Sequence, residues 1–289
     1  MRPCQSGPGR ANVTTAAAIE LRAVIAGKTY GVDLSNPRNL AIPLQFDGPQ
    51  PRFFGAAEAR AQPFRGDGFT GDTRQGGSCN VSEITMVPHC NGTHTESVGH
   101  IVHAGQAVFE SLPQSLMPAV VISVTPVSAA EAGETYRPAV EPRDVVITRA
   151  ALSAALAGYG ADELTALVVR TLPNGSFKKT AVYGERESPP FFTADAMTYL
   201  VERNVRHLVA DIPSIDRMRD EGMLTNHHIF WNVPKGTRDA TEEMRQDRTV
   251  TEMAFIDDDI GDGLYLLNLQ VPAFHTDAAP CRPVLYALT

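Results

Sequence analysis

The chain has 289 residues, 43% of them hydrophobic and 20% charged, so it can bury a large core and is not disordered throughout. Its 25 lysines and arginines against 33 aspartates and glutamates give a formal net charge of −8. An acidic chain without a run of basic residues predicts neither a nucleic-acid surface nor binding to an anionic membrane. Its longest apolar runs are also too short to cross a bilayer.

The beginning of the chain differs in composition from the rest. Residues 1–18 are rich in Gly, Pro, Ser and Thr and lack the apolar stretch of a secretion signal, which predicts a poorly ordered tail. We expect residues 19–289 to form a single domain. The cysteines are scattered without C-x-x-C spacing, which favours reduced thiols and a cytoplasmic location; they are Cys4, Cys79, Cys90 and Cys281.

Taken in chain order, the predicted elements are a hairpin, a long loop-rich segment and then alternating strands and helices. The hairpin lies within residues 19–34. The segment 36–78 is dense in Pro and Gly but carries five phenylalanines, so it is either an ordered surface arm or a lid over a site. Further strands are predicted at 119–124, 144–148, 166–171, 207–211, 250–256, 264–271 and 283–288, and helices at 149–158 and 193–204. This alternation predicts an α/β fold.

Histidines concentrate in the block 88–103 and in the pair 227–228. Imidazole, thiol and carboxylate groups together suit a borderline divalent metal. In an extended segment His94 and Glu96 would point to the same side, and Gly92 would permit a tight turn before them. The block therefore predicts a metal site, with the candidate ligands His89, Cys90, His94, Glu96 and His100.

The sequence PHCNGTHTESVGH resembles the H-x-G-T-H-x-D-x-P-x-H signature of the cyclase-like metal-dependent hydrolase family, which includes bacterial kynurenine formamidases and isatin hydrolases. Further matches to family motifs follow in the same order across residues 30–288, at 33–37, 168–171, 192–216 and 227–231. The resemblance implies a swivelling β/β/α domain, an α/β fold of mixed sheets with flanking helices. It also implies homodimers or homotetramers.

The resemblance implies a role for each matching residue. His100 matches the catalytic histidine, and the implied metal ligands are His94, Glu96, His227 and Glu252, with Glu96 where the family has aspartate. Register places Cys90 where the family has its first histidine ligand, and His89 is the alternative. A thiolate ligand would favour Zn²⁺ over Mn²⁺. His228 is an alternative to His227, and Asp211, Ser214 and Asp216 either orient the ligands or form a turn.

The implied reaction is hydrolysis of a C–N bond in a small amide, aryl formamide or lactam, with a formylkynurenine-like substrate as one candidate. A divalent ion lowers the pKa of bound water towards about 7, and His100 is suited to shuttle the proton. Lactone or ester hydrolysis would use the same groups. A non-catalytic protein that binds a metal or small ligand on this scaffold is the alternative from a different class.

Overall fold

The computed structural model describes residues 19–103, 105–184 and 188–289, so the predicted tail at 1–18 lies outside the described residues. The strands are β1 (Leu21–Ile25), β2 (Lys28–Val32), β3 (Arg38–Asn39), β4 (Arg60–Pro63), β5 (Arg65–Gly66), β6 (Phe69–Thr70), β7 (Ser82–Thr85), β8 (His94–Glu96), β9 (Leu116–Val124), β10 (Val127–Ser128), β11 (Val145–Ile147), β12 (Ala166–Thr171), β13 (Phe191–Phe192), β14 (His207–Ala210), β15 (Thr249–Glu252), β16 (Gly263–Asn268), β17 (Ala278–Pro280) and β18 (Val284–Ala287). The α-helices are α1 (Ala129–Ala132), α2 (Arg149–Ala155), α3 (Ala194–Glu202) and α4 (Thr225–Trp231). The fold is α/β, as the sequence predicted.

Nine strands form one mixed sheet in the order β17-β8-β15-β14-β12-β9-β16-β18-β3. Its centre is parallel, because β9, β12, β14 and β15 run in the same direction. Strand β8 runs antiparallel to β15 on one side and to β17 on the other. The smaller sheets are β10-β11-β13, β1-β2, β4-β7 and β5-β6. The carboxyl ends of the four parallel strands meet at one edge, the usual place for ligand sites in α/β sheets.

The centre of the main sheet is buried on both faces. All six residues of β12 are buried, and the first four alternate between two hydrophobic clusters. Leu167 and Val169 pack with side chains of α2, α3 and α4, whereas Ala166 and Val168 pack against the opposite cluster, which includes Leu285. Burial on both faces explains why this strand has a continuous apolar sequence rather than an alternating one.

Most predicted elements are confirmed with small shifts at their ends. Strand β12 covers the predicted residues, and helix α3 follows Thr193, whose hydroxyl accepts a hydrogen bond from the Ala196 amide at 3.0 Å. Helix α2 ends at Ala155, before the predicted end at residue 158. The hairpin β1-β2 turns at Ala26 and Gly27, both with positive φ. Within the described residues no helix combines the length and apolarity needed to cross a bilayer.

Two differences from the sequence-based expectation bear on the site and its surroundings. Helix α4, which carries the histidine pair, was not predicted. Segment 36–78 contains the short strands β3 to β6, and β3 pairs with β18 at the edge of the main sheet. The phenylalanines of this segment differ in exposure: Phe53 is buried, whereas Phe54 is 68% exposed. Phe53 is part of a small buried cluster, and its amide donates a hydrogen bond to the Cys90 carbonyl.

Candidate metal centre

The predicted extended segment is strand β8, and it brings His94 and Glu96 to one side of the main sheet. Both side chains are almost fully buried. Gly92, two residues before His94, has φ of +90°, a left-handed conformation that glycine adopts without strain. The backbone turn at Gly92 therefore leads directly into the two-residue spacing that places an imidazole and a carboxylate side by side.

The second half of the site comes from β15 and α4. Strand β15 pairs with β8 so that Glu252 lies opposite His94, and their Oε2 and Nε2 atoms are 3.6 Å apart. Helix α4 places His227 Nε2 at 2.8 Å from Glu96 Oε1. The backbone amide of Ile215 donates to Glu252 Oε1 at 2.7 Å, which fixes that carboxylate. Predicted ligands from both halves of the sequence thus meet in one buried cluster.

Within this cluster each imidazole is held through Nδ1 and has Nε2 directed inward. His94 Nδ1 lies 3.0 Å from the Gly92 carbonyl, and His227 Nδ1 lies 2.5 Å from Asp216 Oδ2. The other oxygen of Asp216 accepts a hydrogen bond from the Tyr136 hydroxyl at 2.7 Å. Carbonyl and carboxylate partners on Nδ1 are the usual means of orienting a metal-binding histidine. Of Asp211, Ser214 and Asp216, which the sequence offered as orienting residues, Asp216 contacts the candidate ligand His227.

A more exposed set of groups lies beside the buried cluster. His100 follows β8 in a 3₁₀ turn, and its Nε2 is 3.9 Å from Glu96 Oε2. His89 Nε2 is 3.5 Å from the same oxygen and 3.0 Å from Asp277 Oδ2. The rings of His89 and His100 stack with centroids 4.4 Å apart. Asp277 was not among the sequence candidates, because no motif marks it and only the pairing of β17 with β8 brings it near.

The neighbouring charges in this site shift the pKa values of its buried groups. Burial acts to raise the pKa of Glu96, but the nearby charges of His100 and His227 outweigh burial and lower it. Burial acts to lower the pKa of His227, but Glu96 and Asp216 raise it well above its usual value. His207, on the same sheet, shows the contrast: there burial prevails and lowers the pKa to about 4. The buried cluster therefore attracts positive charge.

Two observations test whether these residues fit a metal ion. His94 Nε2 and His89 Nε2 are buried nitrogens without a hydrogen-bond partner in the described part of the chain, an arrangement that is costly unless something binds there. Ligand atoms of His94, Glu96 and Glu252 all lie within 4.8 Å of one another, and so do those of Glu96, His100 and His227. Imidazole and carboxylate donors suit Zn²⁺ and Mn²⁺. The residues fit a divalent cation.

Other candidates from the sequence lie outside this cluster. Cys90 belongs to none of the potential metal-binding groups found among the described residues, whereas His89 belongs to one together with His100 and Asp277. Burial and the charge of Glu252 raise the pKa of the Cys90 thiol, which disfavours a thiolate. His228 Nδ1 lies 2.8 Å from the Val233 carbonyl. Asp211 accepts hydrogen bonds from Thr171 and Lys178 rather than from a site histidine.

A cavity of about 610 Å³ opens near the carboxyl ends of β9, β12 and β14. Prolines form much of its wall, and its described lining includes none of the site histidines. Lys178 lines it, but its ammonium group already has partners in Thr171, Asn174 and Asp211. This cavity is therefore separate from the candidate metal ligands.

Comparison with known proteins identifies the family. The Cyclase family model matches residues 32–217, which is more than half of the chain. The chain belongs to the Cyclase family. Kynurenine formamidase of Bacillus cytotoxicus is 24% identical to this chain over 157 aligned residues. The alignment covers 54% of this chain and 62% of the relative. The kynurenine formamidase of Bacillus cereus matches to the same extent. The chain thus spans about 62% of the length of these curated relatives.

Solved structures support the fold of this Cyclase-family chain. An isatin hydrolase bound to the product analogue thioisatinate has a TM-score of 0.61 at 15% identity, covering 88% of this chain and 93% of that one. Isatin hydrolase A from Ralstonia solanacearum has a TM-score of 0.58 at 15% identity, covering 87% and 92%. A predicted metal-dependent hydrolase from Bacillus stearothermophilus has a TM-score of 0.55 at 19% identity, covering 87% and 98%. The fold is that of this family.

Proposed function

We propose that the protein is a metal-dependent hydrolase of a C–N bond in a small amide, aryl formamide or lactam. The observation that carries the proposal is the convergence of imidazole Nε2 atoms on Glu96: His227 at 2.8 Å, His89 at 3.5 Å and His100 at 3.9 Å. Kynurenine formamidase and isatin hydrolase, the named relatives and structural neighbours, support hydrolysis as the reaction class.

In this proposal His94, Glu96, His227 and Glu252 hold the metal ion, and His89 is a better candidate than Cys90 for a further ligand. The proximity of His89 Nε2 to Glu96 supports that choice. With no thiolate in the set, Zn²⁺ and Mn²⁺ are both compatible ions. When bound, a divalent ion would supply Lewis acidity for the carbonyl and a lowered pKa for water.

The side chains of the chain itself supply the remaining requirements of hydrolysis. His100 is 28% exposed, so it can exchange protons with solvent while its Nε2 faces the buried cluster. An imidazole there can accept a proton from water and donate it to the departing nitrogen. Asp216 and the Gly92 carbonyl hold His227 and His94 in fixed orientations. Fixed ligands and one exchangeable proton carrier suit hydrolysis better than ligand storage.

The experiment combines metal analysis with a substrate panel. Purified protein is loaded with Zn²⁺ or Mn²⁺, its metal content is measured, and turnover is tested on an aryl formamide, a lactam, a lactone and an aryl ester. We expect bound metal and turnover of at least one C–N substrate. Glu96→Gln is the inactive comparison, and Glu242→Gln, an exposed carboxylate, is the matched control.

Each other result changes the proposal in a defined way. Metal binding without turnover of any substrate would favour the non-catalytic alternative. Turnover restricted to the lactone or ester would move the reaction from C–N to C–O hydrolysis. Absence of metal binding would reject the site as a whole.

We also propose a small-molecule substrate, a cytoplasmic location and a homodimer or homotetramer. The described cysteines Cys79, Cys90 and Cys281 are free thiols, which supports a reducing compartment. Light scattering coupled to size-exclusion chromatography measures the oligomeric state, and a monomer at micromolar concentration would reject the proposed assembly.

A further inference from the structure

The carboxylate of Asp277 lies between the two exposed imidazoles of the site. Its Oδ2 is 3.5 Å from His100 Nδ1 and 3.0 Å from His89 Nε2. The His89 contact is the shorter of the two, and among the described residues both are close ionic contacts without hydrogen-bond geometry. Asp277 is 37% exposed, so solvent reaches it as well. His100 thus has a carboxylate on one ring nitrogen and the metal cluster on the other.

The backbone fixes where this carboxylate stands. Asp277 immediately precedes β17, which pairs with β8, and the Ser97 amide donates to the Asp277 carbonyl at 2.9 Å. The side chain lies over Gly99, where an added Cβ would be 3.2 Å from the Asp277 Cβ. Gly99 therefore leaves the space that the Asp277 side chain occupies. The strand that carries Glu96 thus also aligns Asp277 with His100.

We propose that Asp277 is the positioning residue for His100: its carboxylate accepts the Nδ1–H of His100 and leaves Nε2 as the nitrogen that faces Glu96. This inference rests on the proposed function. A neutral imidazole carries its proton on either nitrogen, and the partner of one nitrogen decides which tautomer is present. A carboxylate that accepts from Nδ1 leaves Nε2 as the nitrogen with the free lone pair.

A positioning role makes predictions that a packing role does not. In Asp277→Asn the amide group can donate to Nδ1, which favours the tautomer with the proton on Nε2. We expect a fall in kcat of about 10–100-fold with little change in KM, the usual size for removing the partner of a functional histidine. Asp277→Glu should recover part of the loss because it retains the acceptor. Gly99→Ala, which keeps the carboxylate but crowds it, should lower kcat less than Asp277→Asn.

A second readout does not depend on activity. Selective ¹⁵N labelling of histidine in the Zn²⁺-loaded protein reports the tautomer of each ring, and His100→Gln identifies the His100 signals. We expect the Nδ1–H tautomer for His100 in the parent and its loss in Asp277→Asn. Asp162→Asn, which alters an exposed aspartate in the 3₁₀ turn before β12, is the matched control and should leave both readouts unchanged.

The outcomes separate this inference from the proposed function. A parent protein that turns over no substrate, but whose His100 tautomer changes in Asp277→Asn, would reject the function and support the positioning. An unchanged His100 tautomer in Asp277→Asn would overturn the inference. Loss of bound Zn²⁺ in Asp277→Asn would also overturn it, because Asp277 would then act on the metal rather than on His100.

Discussion

The site consists of two regions that use the same residue types differently. The inner region comprises His94, Glu96, His227 and Glu252, with side chains at most 5% exposed. The outer region comprises His89, His100 and Asp277, with side chains 25–37% exposed. Each inner histidine is clamped through Nδ1 by a carbonyl or a buried carboxylate. His100 in the outer region has the partly exposed carboxylate of Asp277 near Nδ1 and the buried carboxylate of Glu96 near Nε2.

The difference in burial suits the inner region to binding a metal ion and the outer region to exchanging protons with solvent. In the inner region burial strengthens electrostatic interactions and fixed partners remove rotational freedom, both of which suit a metal ion. In the outer region solvent contact would allow His100 to regain or release a proton in the proposed reaction. Contacts with His100 and His89 lower the pKa of Asp277, so its carboxylate stays ionised beside them. Removing residues from either region should therefore have distinguishable consequences.

The largest effect is expected from the inner region. His94→Ala removes a buried, unpartnered Nε2, so bound metal should fall at least several-fold and turnover should fall with it. Metal content by mass spectrometry and a thermal unfolding curve check both. Chelation of the parent should reproduce the change. His275→Ala, an exposed histidine packed against Phe109, is the control, and full metal stoichiometry in His94→Ala would refute the inner region.

The next largest effect is expected in the outer region. His100→Asn should lower kcat by about 10²–10⁴-fold, the usual range for losing a general acid–base group, while metal content stays close to that of the parent. Steady-state kinetics and metal analysis on one preparation check the separation. His103→Asn, three residues further along and exposed, is the control. If His100→Asn lost the metal, His100 would belong with the inner region.

A smaller effect should follow from loosening an inner histidine without removing it. Asp216→Asn weakens the partner of His227 Nδ1, and we expect metal affinity to fall about 10–100-fold. Tyr136→Phe removes only the hydroxyl that donates to Asp216, so its effect should be smaller still. Competitive titration with a metal indicator measures both affinities. Equal affinity in parent and Asp216→Asn would mean that the clamp contributes nothing.

The smallest effect is expected at Cys90. Because Cys90 lies outside the cluster whereas His89 contacts Glu96, Cys90→Ser should keep metal content and turnover, and His89→Ala should reduce at least one of them. Substitution with Co²⁺ gives a direct test, since a thiolate ligand produces a near-ultraviolet charge-transfer band. We expect no such band in the parent. A band that disappears in Cys90→Ser would restore Cys90 as the ligand that motif register predicted.

Much of the fold was predictable because its signals are local. The apolar run of β12 predicts a strand buried on both faces, and Thr193 before α3 is a capping residue recognisable from sequence. Helix α4 was missed because it lacks the capping signal that marks the equally short α2: its N-cap position is Leu224, whereas that of α2 is Thr148. Its helical form depends on contacts from elsewhere, including Asp216, which accepts a hydrogen bond from the Asn226 amide.

The sequence by itself determined the chemistry that the site offers. The two-residue spacing of His94 and Glu96 suits one side of a strand, and the family resemblance assigns roles to His100, His227 and Glu252. Only the tertiary structure brings His89 beside Glu96, leaves Cys90 outside the potential metal-binding groups of the described residues, and brings Asp277 near them. Neighbouring residues in an irregular turn point in directions that spacing does not fix. Asp277 lies 177 residues beyond His100 in number and reaches it only because β17 pairs with β8.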